Sequence, residues 1–178
     1  MANLIVYYSR KGQNYINGSI ENLSRGNTEI VAEFIREAVG GEMFEVETEK
    51  PYSNDYYKCT EEAKRELENN ARPVLRRYLR SAEEYDVVFV GFPNWWGTMP
   101  MAMFSLLENC DFAGKTIFPF CTNEGSGMGY SERDLAKICT GAKIEKGLPV
   151  RGASAAASRK MVAEWAKKSV ENAEKGVK

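Results

Sequence analysis

The chain has 178 residues, and its 24 basic side chains nearly balance 25 acidic ones. That length supports a sizeable core, and no linker rich in Pro, Gly or Ser divides the chain, so one domain over residues 1–178 is expected. The charge balance, without a basic stripe, argues against nucleic acid as a partner, and the absence of histidine excludes imidazole-based triads and His-ligated metal sites.

The N-terminus enters a strand-like run at once, without a charged leader, and no apolar stretch approaches the roughly 18 residues of a membrane span. A cytoplasmic protein with no membrane partner is therefore expected. Cys59, Cys110, Cys121 and Cys139 show neither a C-x-x-C pair nor zinc spacing, so they are expected to be thiols that fill core and surface, with no metal site.

Leu4 to Tyr8 is a short run of β-branched and aromatic residues, read as strand one. A polar stretch follows, in which Asn17-Gly18 flanked by Tyr15-Ile16 and Ser19-Ile20 predicts a small hairpin. From Thr28, the apolar residues Ile30, Val31, Phe34, Ile35, Ala38 and Val39 recur at helical spacing, and Gly40-Gly41 ends that helix. Met43 to Val46 reads as strand two, followed by a tyrosine-rich loop around Pro51 and a charged helix from about Tyr57 to Asn69.

Val87 to Phe92 is strand three, and Met103, Phe104, Leu107 and Cys110 mark the buried face of the helix after it. Thr116 to Cys121 is strand four, Ser131 to Ile138 the next helix, and residues 143–150 a weaker fifth strand. Met161, Val162, Trp165 and Ala166 place the closing helix on the sheet. Strict alternation of strand and helix predicts an α/β parallel sheet with helices on both faces, because each parallel return needs a crossover.

In such a sheet ligands bind beyond the carboxyl ends of the strands, where three loops should meet. The first begins at Ser9-Arg10 and ends at Gly26-Asn27-Thr28, immediately before a helix, so free N–H groups and small polar side chains converge there. The alternative is that Asn27 or Thr28 merely caps the helix and Ser9 merely turns the chain. Neither G-x-G-x-x-G nor a P-loop is present: Gly114-Lys115-Thr116 precedes a strand.

The second loop holds Pro93, Asn94, Trp95, Trp96 and Gly97. Both indoles could belong to the core, but consecutive residues of an extended chain face opposite sides, so at least one is expected to stack on a planar ligand. The third loop, Thr122-Asn123-Glu124-Gly125-Ser126-Gly127 after Cys121, lets the backbone approach a polar ring edge, or is an ordinary flexible turn.

Together these loops resemble the flavin mononucleotide (FMN) site of the flavodoxin family, in its bacterial flavodoxin-like subgroup, and the resemblance covers nearly the whole chain. Its carriers are Ser9, Gly26-Asn27-Thr28, the run Pro93 to Pro100, and Pro119 to Thr122 with Gly125-Ser126-Gly127. Ser131 to Leu135 and Gly147 to Gly152 add to it. The resemblance implies a flavodoxin-like three-layer sandwich with a five-stranded sheet of order 2-1-3-4-5. It also implies that Ser9, Gly26, Asn27 and Thr28 hold the phosphate, that residues 93–97 and 121–127 flank the ring, and that Arg10 belongs to the cofactor-binding residues.

Relatives place the phosphate-loop serine a few residues before Gly-Asn-Thr, whereas residues 11–23 intervene here, so either Ser9 or Ser24 could fill that role. The hairpin within the insert is expected to fold over the phosphate or the sheet edge. The resemblance further implies that a peptide beside Gly97 can turn its carbonyl toward the flavin N5, and Glu124 either disfavours the reduced, anionic ring by repulsion or, the preferred reading, is simply solvated.

Two functions fit a flavoprotein of this kind, and neither needs a catalytic side chain. One is electron transport between redox partner proteins, by a monomer or weak homodimer. The other is an oxidoreductase that takes hydride from NAD(P)H and reduces a quinone or similar acceptor. The carrier is preferred. A flavodoxin-like module without flavin is the third class, and the paired tryptophans argue against it.

Overall fold

The computed structural model describes residues 2–176. In chain order the elements are β1 (Asn3–Tyr7), β2 (Gly12–Ile16), β3 (Ser19–Leu23), α1 (Asn27–Val39), β4 (Glu42–Glu45), α2 (Tyr56–Glu68) and β5 (Val87–Pro93). They continue with α3 (Met101–Leu107), β6 (Thr116–Asn123), α4 (Ser131–Ile138), β7 (Lys143–Ile144) and β8 (Leu148–Arg151). A 3₁₀ turn, Gly152–Ala157, leads into α5 (Arg159–Gly176).

The main sheet is parallel throughout, in the order β4-β1-β5-β6-β7, with β8 also pairing with β6. This is the expected order 2-1-3-4-5, with one departure: the fifth position is shared by two short strands. β7 meets Thr116 and Ile117 near the start of β6, and β8 meets Phe120 to Asn123 near its end. Glu145 to Gly147 interrupts the pairing between them.

Side-chain alternation along the strands divides the core into two layers. Leu4, Val6, Val88, Val90 and Phe92 face α3, Leu135 of α4, and the irregular segment that carries Leu75, Leu79 and Tyr85. Ile5, Tyr7, Val87, Phe89 and Phe118 face Val31 and Ile35 of α1 and Val162 and Ala166 of α5. Each such apolar side chain taken from water contributes about 1.5–3 kcal/mol, which is why strands buried on both sides read as unbroken apolar runs.

Two expectations about helix faces are corrected. Cys110 lies beyond the end of α3 and is only half-buried, because the seven-residue helix is buried on every side and stops at Leu107. Met161 is 46% exposed. The inward stripe of α5 runs through Val162, Ala166, Ser169 and Ala173, spaced three or four apart, which turns residue 161 outward.

The insert forms the expected hairpin. β2 and β3 pair antiparallel as a separate two-stranded sheet, and Asn17 and Gly18, with φ of 48° and 92°, make its tight turn. Among the described residues no helix is long and apolar enough to cross a membrane, and no group of three or more His, Cys, Asp or Glu is placed to hold a metal ion.

Candidate functional site

β1 delivers the chain to Ser9, and the hairpin returns it to the same spot. Gly26 packs so tightly there that a Cβ would lie 2.0 Å from Ser9 Oγ and 2.8 Å from the Arg10 carbonyl. Ser9 Oγ accepts the N–H of Glu29 at 3.0 Å, which leaves its own O–H to donate. Ser24, by contrast, is exposed after β3. Of the two candidate serines, Ser9 is therefore the one beside Gly26 and the start of α1.

α1 opens at this point. Among the described residues, no protein acceptor meets the Asn27 and Thr28 N–H groups, and they sit at the positive end of the helix dipole. Thr28 Oγ1 and Thr122 Oγ1, both buried, lie 2.8 Å apart. One hydroxyl donates to the other, and the second proton remains available.

The second loop is built around Asn94. Its N–H donates to Thr122 O, its Oδ1 accepts the N–H of Gly97 at 3.0 Å, and its Nδ2 donates to Gly127 O at 2.9 Å. One amide thus ties the second loop to the third. Trp95 and Thr98 exchange backbone hydrogen bonds, so Trp96 and Gly97 form the centre of a tight turn with φ of 55° and 88°. A left-handed tryptophan costs about 1–2 kcal/mol. Its Nε1–H donates to Thr60 O at 2.9 Å, and Lys64 lies 5.5 Å over its ring, which offsets that strain.

The two indoles have different surroundings. Trp95 meets Tyr8 and Tyr52 edge-on, with centroids 5.3 and 5.1 Å away, and also lines the pocket, whereas Trp96 is 49% exposed. The Gly97 carbonyl accepts the N–H of Tyr130 at 2.6 Å, so the peptide after Gly97 is fixed. The peptide before it holds its N–H on Asn94.

Asn123 shapes the third loop: its Oδ1 accepts the N–H groups of Gly125 and Gly127, and its Nδ2 reaches Val150 O at 3.4 Å. Beneath it, the buried thiol of Cys121 lies 3.5 Å from Gly127 O, and burial pushes its pKa up to about 12. Glu124 is neither solvated nor a bare charge. It accepts the N–H groups of Ala153 and of Asn17 in the hairpin turn and pairs with Arg151, whose Nη2 donates to Asn17 Oδ1. A carboxylate so compensated anchors the hairpin, which replaces the expectation that it acts by repulsion.

A cavity of about 280 Å³ lies where the loops meet. Arg10, Asn27 and Thr28 line it from the first loop, Pro93, Asn94 and Trp95 from the second, and Thr122, Asn123, Glu124 and Ser126 from the third. Ser9 and Gly26 stand behind the first loop, Gly97, Cys121, Gly125 and Gly127 hold the other two in shape, and Trp96 borders a neighbouring cavity. Four wall residues were not foreseen. Asn14 and Tyr15 come from the hairpin, Tyr56 from α2, and Gly152 from the turn after β8. The hairpin was expected to fold over the phosphate or the sheet edge, and it lies against the pocket through Asn14 and Tyr15.

A parallel sheet of this order, with three loops at its carboxyl end enclosing one donor-rich pocket, defines a flavodoxin-like protein. The chain belongs to the flavodoxin family: a family model described as Flavodoxin matches residues 21–169. Among solved structures, a Bacteroides uniformis protein designated a flavoprotein is 30% identical, with a TM-score of 0.73 over 93% of this chain and 97% of that one. One from Bacteroides eggerthii, likewise designated, is 25% identical, with a TM-score of 0.68 over 91% and 98%. A Lactobacillus acidophilus flavoprotein solved in complex with FMN is 21% identical, with a TM-score of 0.61 over 86% and 95%. No curated protein matches the chain.

Proposed function

We propose that this chain is a flavoprotein that holds FMN in the pocket between its three loops and passes electrons between partner proteins. The observation that carries the reading is the polarity of the pocket: N–H groups of Asn27 and Thr28 without a partner among the described residues at one end, the indole of Trp95 at the other. That donor set suits a phosphate monoester attached to a planar ring. The helix dipole contributes about 0.3–1 kcal/mol toward an anion there, and charge-assisted hydrogen bonds, roughly twice as strong as neutral ones, supply the rest of the hold.

Bound flavin would supply reversible one- and two-electron redox chemistry. The chain's residues hold, orient and shield it. Ser9 O–H and the first turn of α1 meet the phosphate, the Thr28–Thr122 hydroxyl pair offers one further proton, and Asn94 fixes the distance between the two loops beside the ring.

Three groups beside the pocket stay protonated near neutral pH, which supports the carrier over the NAD(P)H-dependent oxidoreductase. Burial raises the pKa of Tyr56, and it raises the thiols of Cys59 and Cys121 to about 11 and 12, so none of the three is poised to pass a proton near pH 7. An enzyme that reduces a quinone fully must also deliver protons.

Anaerobic absorbance spectroscopy tests both parts. Added FMN should show a shifted spectrum saturating at one equivalent, and NADPH should leave the bound flavin oxidised while dithionite bleaches it. Rapid bleaching by NADPH would transfer the assignment to the oxidoreductase, and an unperturbed FMN spectrum would refute flavin binding.

A further inference from the structure

A second cavity, of about 400 Å³, opens between α2 and the Trp95–Trp96 turn. It exists because Tyr56, Cys59, Thr60 and Ala63 share one face of α2, and the last three are too small to reach the indoles opposite. The Trp96 ring, tied to Thr60 O through Nε1, is held at the rim instead of collapsing into the space. Tyr57, 67% exposed, stands edge-on to Tyr56 at the same opening.

Arg10 lines this slot as well as the first pocket. Its guanidinium donates to the carbonyls of Gln13, Ser53 and Asn54 at 2.9 to 3.1 Å, and among the described residues no carboxylate forms an ion pair with it. The nearby Cys59 thiol stays neutral, since burial lifts it to about 11 against the opposing pull of Arg10. Among the described residues this half-buried cation is held by carbonyls beside a neutral thiol, with no carboxylate within ion-pair distance.

We propose that this slot is a second ligand site, for a planar aromatic anion of one or two rings whose acid group meets Arg10. Aromatic walls favour a flat ring, the volume falls in the range of small-molecule sites, and the unpaired guanidinium selects an anion over a neutral molecule of the same shape. The proposal rests on the flavin reading: Arg10, Asn14, Tyr56, Asn94 and Trp95 border both cavities, so the slot is a separate site only if FMN fills the first and leaves the Arg10 guanidinium to the second.

The probe is 2-naphthoate, titrated calorimetrically into FMN-loaded protein, with 2-naphthalenemethanol as its neutral counterpart. Naphthoate should bind one to one and at least ten-fold more tightly than the alcohol. Ala63→Leu, which fills the slot, should abolish that binding while changing the FMN dissociation constant less than two-fold. Tyr57→Ala, at an exposed position that folding tolerates, should weaken naphthoate alone.

Absence of binding to the loaded protein, equal affinity for the alcohol, or competition between naphthoate and FMN each overturns the proposal. If FMN itself does not bind, the flavin reading fails. The slot is then judged on the flavin-free protein, where naphthoate binding lost in Ala63→Leu supports it and no binding refutes it.

Discussion

Ser9 can do two things with one hydroxyl: its oxygen accepts the N–H of Glu29, and its proton remains free to donate beside the start of α1. Ser9→Ala should cost about 1 kcal/mol of stability by leaving that N–H without a partner, and should weaken FMN by about ten-fold. Urea denaturation of the flavin-free protein and a fluorescence titration read the two effects, and Ser24→Ala should change neither. Gly129 carries a different constraint. It has φ +55°, and a Cβ there would lie 2.1 Å from the Gly97 carbonyl, the acceptor that fixes the tryptophan turn. Gly129→Ala should therefore lose more than about 2 kcal/mol, whereas Gly176→Ala, facing open space, should be close to neutral or stabilising in the same melt.

Among the elements, the hairpin is the addition that distinguishes this pocket. It forms its own two-stranded sheet, stacks Tyr15 on Tyr56 at 6.2 Å, and is tied at its tip to Glu124 and Arg151. Because Arg10 and Gly26 touch, removing Lys11 to Leu23 would join ends already close together and leave the main sheet intact. The shortened protein should fold, release FMN faster in stopped flow, and bind it about ten-fold more weakly, since Asn14 and Tyr15 leave the wall. Unchanged affinity would refute a covering role. Local signals made several elements legible: the Asn-Gly turn gave the hairpin, and apolar spacing gave α1 to within one residue at its start. The segment from residue 70 to 86 has no such periodicity, yet it buries Leu75, Leu79 and Tyr85, whose positions depend on the sheet beneath them.

For the molecule as a whole, burial of thiols sets an alkaline limit. Burial raises Cys121 and Cys139 to about 12 and Cys59 to about 11, from an ordinary value of 9.0. A group whose folded pKa lies above its unfolded one stabilises fully below the unfolded value and loses that contribution as pH rises toward the folded value. Stability should be level from pH 7 to 8 and fall above about pH 9, by up to about 1.4 kcal/mol per pH unit for each thiol. Tyr8 and Tyr52, also raised by burial, add to the fall above about pH 10, where tyrosines of an unfolded chain ionise. Urea midpoints between pH 7 and 10.5 measure the trend, and Cys139→Ala should make the decline shallower. A flat profile would show that these thiols are not buried as described.

Much of this was carried by the chain's local chemistry. Unbroken apolar runs, a 3.6-residue period and glycine punctuation act over a few neighbours, so they set the α/β alternation and the three loops, while the sheet order followed only from the resemblance to the flavodoxin family. Contacts across long separations were not available that way. Ser9 rather than Ser24 beside Gly26, Glu124 as an anchor rather than a free charge, and Asn14, Tyr15, Tyr56 and Gly152 as pocket wall all depend on where distant segments pack. A residue's neighbours along the backbone do not specify that packing; the shape of the shared core does.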